Sequence, residues 1–316
     1  MLRRGTHGMP ASDYADALGE RLPDHTVRLA RTPREERDYA ETATVITSAA
    51  IDEALLDRAE DLRLFAGVAA GYDHLPLERF RETGVAVTNA SGIHAPNIAE
   101  QVLGFVLAHT RRLPEAWERK ADSEWRHFQA GELQGSTVSI VGLGAIGTAV
   151  AERLAGFGVE TVGVRYTPEK GGPTDEVIGF DAEAIHDALA RTDYLVIAAP
   201  LSETTRGLIG DAELTTLPED AFIVNVGRGP IVDTDALVRA LRGNHVGGAA
   251  LDVTDPEPLP ADHDLWDLEN VQITPHNAGH SPHLYDRLAD IVAGNVERVA
   301  ETGAVTDLRN QVVDPT

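Results

Sequence analysis

Val138-Ser-Ile-Val-Gly142-Leu-Gly144-Ala-Ile-Gly147, then a helical run, then Val162-Gly-Val-Arg165, is the stretch that decides the fold. A β-branched strand runs into Gly-x-Gly-x-x-Gly, the glycines open a helix with Ala145, Ile146, Val150 and Leu154 at helical spacing, and a second strand follows. Gly142 permits a tight bend at positive φ. Gly144 removes a side chain where a pyrophosphate must approach the backbone, and Gly147 lets helix and strand pack closely. The helix N-terminus then presents unpaired N–H groups and partial positive charge to phosphate. A lone Gly-x-Gly-x-x-Gly is a weak signal in a glycine-rich chain. Its setting, strand before, helix after and a second strand behind, makes this one a dinucleotide-binding turn.

The second strand of such a unit ordinarily ends in an acid that accepts from the ribose hydroxyls. Here it ends in Arg165, eighteen residues after Gly147, followed by Tyr166 and Thr167. An acid repels a ribose 2′-phosphate and an arginine accommodates it. A guanidinium beside a hydroxyl therefore points to NADP(H). The alternative is NAD(H), with Arg165 merely stacked on adenine.

The chain has 316 residues, long enough for about two domains. No apolar run reaches the length of a membrane span. The opening Met-Leu-Arg-Arg has no apolar stretch behind it, so no signal peptide is expected and the expected location is cytoplasmic. There is no cysteine, which removes disulfides and thiolate catalysis. Asp and Glu number 51 against 27 Lys and Arg, a net charge of −24, and the only lysines are Lys120 and Lys170. An ordinary acidic enzyme is one reading. The sharper one is a halophilic protein: dense carboxylates hold a hydrated surface, long apolar lysine stems are avoided, and in molar salt the Debye length is about 3 Å, so repulsion is screened. The same charge argues against a nucleic-acid partner.

Before the glycine turn, candidate strands fall at Val27–Ala30, Thr44–Thr47, Leu64–Val68 and Val85–Thr88, with helical segments at Asp52–Glu60 and Leu77–Glu82. A long helical pattern starts near Asn97, with Ile98, Val102, Phe105 and Val106 on one face, and fades near Leu113-Pro114. Trp117 and Trp125 then fall in a polar segment. After Arg165, short apolar strands at Tyr194–Ala198, Phe222–Asn225, Ala249–Val253 and Val271–Thr274 alternate with helices, as in a doubly wound parallel sheet. Asp233-Thr-Asp235 caps a helix that ends before Gly243. The last helix, about Pro282–Glu301, is expected to return to the first domain. The expected fold class is α/β: two Rossmann-like doubly wound parallel-sheet domains with a cleft between them. Residues 1–96 plus 283–316 form one domain, and 97–282 form the dinucleotide-binding domain, which includes the long linking helix near 97–113.

Three segments follow or close strands of the second sheet: Val224-Asn-Val-Gly-Arg228-Gly-Pro-Ile-Val-Asp233, Ala250-Leu-Asp252-Val-Thr-Asp-Pro-Glu257-Pro-Leu-Pro260, and Ile273-Thr-Pro-His276-Asn-Ala-Gly279. Ligands of open α/β sheets sit at the carboxyl ends of strands, so Arg228, Glu257 and His276 are candidates for one site. Arginine grips a carboxylate bidentately, histidine exchanges a proton near neutral pH, and a carboxylate beside it favours imidazolium. Singly, each has a plainer reading: a histidine closing a strand, a surface arginine, a solvated loop acid.

Together with Ala70-Gly-Tyr-Asp73 and Ala199-Pro-Leu-Ser-Glu-Thr-Thr-Arg-Gly-Leu208, these segments resemble the D-isomer-specific 2-hydroxyacid dehydrogenases over nearly the whole length, in order and spacing. The resemblance implies hydride transfer between a nicotinamide and C2 of a small 2-oxo or 2-hydroxy acid. It makes His276 the acid/base, Glu257 its partner, and Arg228 the group that binds the substrate carboxylate and reacting oxygen. Backbone N–H groups of Val68, Ala69, Ala70 and Gly71 would help hold the carboxylate, with Tyr72 and His94 beside them, although His94 reads equally as structural. Gly142, Gly144, Ala145, Ile146 and Gly147 would hold the pyrophosphate, and Arg165, Tyr166 and Thr167 the ribose. Ala199, Pro200, Thr205, Val226, Gly227, Arg228, His276, Ala278 and Gly279 would line the rest of the cofactor, with Asp252 on the nicotinamide amide. The long helix and Trp117 resemble the family's dimerisation arm, which implies a homodimer; an intradomain helix is the alternative. Glyoxylate or hydroxypyruvate reduction, and a non-catalytic cofactor-sensing relative, are the other readings. The charge balance alone yields one expected outcome: the thermal midpoint should rise between low and molar KCl as repulsion is screened, and a midpoint that does not rise would contradict it.

Overall fold

In the computed structural model, residues 8–72 and 74–315 are described; residues 1–7, Asp73 (the last residue of the Ala70-Gly-Tyr-Asp73 motif) and Thr316 lie outside the described residues. The chain divides into two compact units. One holds the chain up to His94 together with the stretch from His280 onward, and the other runs Ala95–Gly279.

In chain order, the first unit contributes strands β1 (Val45–Ser48), β2 (Leu64–Gly67) and β3 (Ala86–Thr88). The second contributes β4 (Thr137–Val141), β5 (Glu160–Val164), β6 (Glu176–Ile178), β7 (Tyr194–Ile197), β8 (Phe222–Asn225), β9 (Gly248–Leu251) and β10 (Val271–Ile273), and β11 (Gln311–Val313) returns to the first.

The sheet of the first unit has the order β1-β2-β3-β11, with β1, β2 and β3 parallel. β11 pairs antiparallel to β3 with a shift in register, an antiparallel edge on a sheet expected to be wholly parallel. Asp52 caps the helix Glu53–Arg58 by accepting from the Leu55 N–H at 2.7 Å. On one side of the sheet, Tyr14 and Leu18 of the first helix, Ala11–Arg21, and Leu22 just after it meet Leu284, Leu288 and Val292 of the helix Leu284–Thr302. Tyr14 is buried, its ring centroid 5.3 Å from that of Tyr285, and its hydroxyl pairs with Thr47 at 3.0 Å; burial pushes the phenol well above its usual range.

Val27–Ala30, expected as a strand, is not one. It joins no sheet among the described residues, and Arg28 lies over the Tyr39 ring at 5.4 Å. Alternation of apolar and polar residues produces an extended chain, but a strand also needs a partner backbone to hydrogen-bond.

The second unit is a seven-stranded, wholly parallel sheet in the order β10-β9-β8-β7-β4-β5-β6. Strands β4, β7, β8 and β9 are buried at every position, as the β-branched runs require when both faces are covered. The chain order reverses between β4 and β7, so a crevice opens there beyond the carboxyl ends.

The helix Ala95–Thr110 buries Ile98, Val102, Phe105 and Val106 in one cluster with Val150 and Leu154 of the helix Ala145–Leu154. The long helix ends at Thr110, close to the expected Leu113-Pro114, but helical structure then resumes. Arg112 takes a left-handed conformation (φ 51°), and a second helix, Leu113–Ala121, starts with proline in its first turn, where the missing N–H costs nothing. Trp117 therefore stands on a helix, and Trp125 on an exposed loop. Strands β6 and β11 carry no clear sequence signature because each is a three-residue edge strand. No helix among the described residues is long and apolar enough to cross a membrane.

The glycine turn shows why its residues are small. A Cβ on Gly147 would lie 2.0 Å from the Gly142 carbonyl oxygen, whereas one on Gly144 meets no protein atom within 4 Å. Gly147→Ala should therefore lower the thermal midpoint by roughly 5 °C or more, and Gly144→Ala should leave it nearly unchanged. Equal midpoints for the two variants would contradict this packing.

Candidate active site

Each loop of interest leaves the carboxyl end of a strand in the parallel sheet. The turn after β4 is the most regular of them. Gly142 sits at φ +99°, and a Cβ there would lie 2.7 Å from the Ala199 backbone. Gly144 is the N-cap of the helix Ala145–Leu154 and lends it no side-chain cap, so the first N–H groups of a ten-residue helix face outward. Gly144 and Ala145 are exposed, Ile146 is half-buried and Gly147 is buried. The open space above Gly144, which a side chain would fill, together with uncapped N–H groups, fits a pyrophosphate.

A cavity of roughly 260 Å³ opens beside this turn, bounded by Gly142 and Gly144 on one side, Arg165, Tyr166 and Thr167 on another, and Ala199, Pro200 and Thr205 on a third. Arg165 follows β5 directly and is half-buried; its Nη1 donates to the Gly171 carbonyl. Tyr166 is exposed. Thr205 is buried, and its hydroxyl donates to the Pro200 carbonyl at 2.7 Å while accepting from the Ser202 N–H at 2.8 Å. Thr205 thus braces its own loop and contributes shape to the cavity.

At the end of β8, Asn225 is almost fully buried. Its side-chain oxygen accepts from the Gly227 N–H at 3.0 Å and its amide donates to the Arg228 carbonyl at 3.1 Å. One side chain therefore sets the turn that presents Arg228, and sequence reasoning missed it; the signal was an amide closing an otherwise apolar strand. Val226 is buried in the core, and a Cβ on Gly227 would lie 2.7 Å from the Ala199 carbonyl, so this turn sits directly on the β7 loop. Arg228 itself is exposed, with Nη1 on the Gly227 carbonyl at 2.7 Å, which leaves most of its donors free. The next residue, Gly229, abuts the backbone of Thr254, where a Cβ would come within 1.9 Å of the carbonyl oxygen. That contact seats the Arg228 turn on the loop carrying Glu257.

Glu257 is held at both oxygens. Oε1 accepts from the Thr254 N–H at 3.1 Å, and Oε2 lies 3.0 Å from Nδ1 of His276. The pair is partly exposed, at 39% and 53% of the side chains. With Nδ1 engaged by the carboxylate, Nε2 is the nitrogen left for chemistry.

The position of His276 comes from Asp252 at the end of β9. This carboxylate is 3% exposed. Its Oδ1 accepts from the Thr274 hydroxyl and from the N–H groups of Asn277 (2.8 Å) and Ala278 (3.1 Å), and Oδ2 accepts from Ala278 at 3.0 Å. The Asp252 carbonyl accepts the His276 N–H at 2.8 Å. Bound at both sides, His276 is forced to φ +50°, a conformation that costs a β-carbon residue on the order of 1–3 kcal/mol and collects at functional sites. Of the acceptor sites on this carboxylate, Oδ2 keeps one for a ligand. Ala278 is buried, and its carbonyl accepts from the Asn97 side chain; Gly279 closes the unit.

The remaining expected site residues belong to the first unit. Val68 is buried; Ala69, Ala70, Gly71 and Tyr72 follow β2 in a loop, the last three of them exposed. The Ala69 and Ala70 carbonyls accept from the Ala90 N–H (3.0 Å) and the Asn89 side chain (2.7 Å). The loop is thereby fixed, and the N–H groups of Ala69, Ala70 and Gly71 meet no protein acceptor among the described residues. His94 is half-buried in the turn that ends this part of the chain.

The chemistry of the second unit is thus an anion-accepting helix end, a guanidinium with free donors, and an imidazole oriented by a carboxylate. Comparison with known proteins agrees with that set. Residues 103–278 match the family model described as D-isomer specific 2-hydroxyacid dehydrogenase, NAD binding domain. A glyoxylate reductase from Thermofilum pendens is 35% identical over 253 residues, covering 78% of this chain and 74% of the relative. The crystal structure of a D-isomer specific 2-hydroxyacid dehydrogenase from Xanthobacter autotrophicus Py2, in complex with NADPH and MES, is 30% identical with a TM-score of 0.79, covering 99% of this chain and 98% of that one. That of an NADPH-dependent glyoxylate/hydroxypyruvate reductase from Sinorhizobium meliloti, in complex with citrate, is 28% identical with a TM-score of 0.74, covering 99% and 97%. With an NAD-binding domain matched over more than half its length, the chain belongs to the family of D-isomer-specific 2-hydroxyacid dehydrogenases.

Proposed function

We propose that this protein is a 2-oxo acid reductase that prefers NADP(H), with His276 as acid/base, Glu257 as its partner and Arg228 as the carboxylate anchor. The observation that carries the reading is the 3.0 Å contact between Glu257 Oε2 and His276 Nδ1, held in place by the Asp252 tether. A carboxylate on Nδ1 fixes the orientation of the ring and leaves Nε2 for proton exchange. In the reductive direction, the His276 imidazolium gives its Nε2 proton to the oxygen on C2 as negative charge develops there, and in the oxidative direction neutral Nε2 takes that proton back. The Arg228 guanidinium holds the substrate carboxylate and stabilises the charge growing on the same oxygen. A bound nicotinamide would supply or accept the hydride, with its pyrophosphate at the Gly142–Gly147 turn and its amide against Asp252 and Ala278. In the other unit, taken by itself, the unengaged N–H groups of Ala69, Ala70 and Gly71 suit a carboxylate.

Glyoxylate or hydroxypyruvate is the substrate class we favour, because relatives named for that activity recur at 28–35% identity. The NADP preference is supported by Arg165 where NAD-binding units carry an acid, and by the two similar structures whose names include NADPH. The acidic surface supports a working milieu of molar salt. The same reading makes the molecule a homodimer that uses the helix Leu113–Ala121, where Trp117 stands 60% exposed.

His276→Ala should lower kcat/KM for glyoxylate by about 10²–10⁴-fold and leave cofactor affinity near wild type; near-wild-type turnover would refute the assignment, and a wild-type protein with no turnover on a panel of 2-oxo acids would favour the cofactor-sensing alternative. Arg165→Asp should shift the NADPH-to-NADH ratio of kcat/KM toward NADH by about tenfold or more, the worth of one charge-assisted contact. An unmoved ratio would return the cofactor to NAD(H).

A further inference from the structure

The second of the chain's two lysines lines the cavity beside the glycine turn. Arginine outnumbers lysine 25 to 2. Lys120 has a plain structural place in the last turn of the helix Leu113–Ala121, where a cation suits the helix dipole. Lys170 closes a single 3₁₀ turn, Pro168–Lys170, that has no such dipole to complement. It borders the same cavity as Gly144, Arg165, Tyr166 and Thr167.

The loop geometry brings the two cations together. Arg165 donates through Nη1 to the Gly171 carbonyl, which ties the residue after β5 to the residue after Lys170. Inside that closure, the Lys170 N–H donates to the Thr167 carbonyl at 3.1 Å and the Gly171 N–H to Pro168 at 2.9 Å. Several arginines of this unit spend their charge on carboxylates, Arg191 on Glu176, Arg239 on Asp211 and Arg242 on Asp264, whereas Arg111, Arg153 and Arg228 donate to backbone carbonyls. Neither Arg165 nor Lys170 has such a partner among the described residues. In a chain with nearly two acids per base, a pair of neighbouring cations without carboxylate partners is available for an anionic ligand.

From this we infer that Lys170 is a second specificity-determining residue for the cofactor, closing with Arg165 on the ribose 2′-phosphate. The inference rests on the NADP reading above and deepens it. The two side chains have complementary shapes. The guanidinium is a planar fork that engages two oxygens, and the ammonium is a compact charge on a flexible stem that reaches a third. A phosphate monoester offers three terminal oxygens. If the protein works in molar salt, where attraction beyond about 3 Å is screened, discrimination between NADP and NAD has to come from direct contacts, which favours two cations over one.

Calorimetric titration in molar KCl with adenosine 2′,5′-bisphosphate and with 5′-AMP tests this without turnover. The wild-type protein should bind the bisphosphate at least about tenfold more tightly than 5′-AMP. Lys170→Ala should lose about tenfold for the bisphosphate, the worth of one charge-assisted contact, and nothing for 5′-AMP, while Lys170→Arg keeps most of the preference. Lys170 is exposed, so the thermal midpoint of Lys170→Ala should match wild type. If Lys170→Ala binds the bisphosphate as tightly as wild type while wild type retains its preference, the role of Lys170 is overturned and the NADP reading stands. Equal losses for both probes would also overturn it, marking general damage to the cavity. If the wild-type protein does not distinguish the probes, the NADP reading itself falls and takes the inference with it.

Discussion

Parallel pairing is the constraint from which the active unit follows. Seven strands that run the same way must release every loop after a strand at one edge, because each crossover returns the chain to the opposite end. The glycine turn after β4, the Arg165 loop after β5, the Arg228 turn after β8, Asp252 after β9 and His276 after β10 therefore share one rim, although 134 positions separate Gly142 from His276. Reversal of strand order between β4 and β7 opens the crevice on that rim.

Sharing a rim does not align side chains, and the structure uses buried polar side chains for that second task. Asn225 and Asp252 occupy equivalent places, at or just beyond the ends of the neighbouring strands β8 and β9, and both are almost fully buried. Each spends most of its hydrogen bonds on backbone groups of the turn it governs, Asp252 accepting also from the Thr274 hydroxyl. A buried carboxylate is costly unless fully engaged, so the donors from Thr274, Asn277 and Ala278 are as much a requirement of Asp252 as a service to His276. The outcome is an imidazole in a left-handed backbone conformation with Nδ1 on Glu257. Close glycine contacts join these turns to one another: Gly227 rests on Ala199, and Gly229 on Thr254.

Much of this was legible in the chain. The β4 turn, the sheet strands after Arg165, the Asp233 cap and the three candidate residues Arg228, Glu257 and His276 all sit in local patterns whose physics depends on near neighbours. What escaped reading was non-local. Val27–Ala30 alternates like a strand yet has no partner backbone, while β6 and β11 are strands chiefly because a sheet edge is there to receive them. The break at Arg112 hid a second helix, since proline reads as a terminator at the end of one helix and is tolerated at the start of the next. Asn225 and Lys170 are single polar residues whose significance depends on what faces them.

The sequence by itself determined a doubly wound α/β chain, a dinucleotide turn and a short set of candidate residues, Arg228, Glu257 and His276, because periodicity, glycine placement and residue chemistry are properties of short segments. Only the tertiary structure decided that Glu257 meets Nδ1 of His276, that Asp252 is committed mainly to the backbone, and that Lys170 joins Arg165 at one cavity. Those are facts of distance between residues far apart in the chain or across a loop closure, and distance is set by how the strands stack and where their loops are tied.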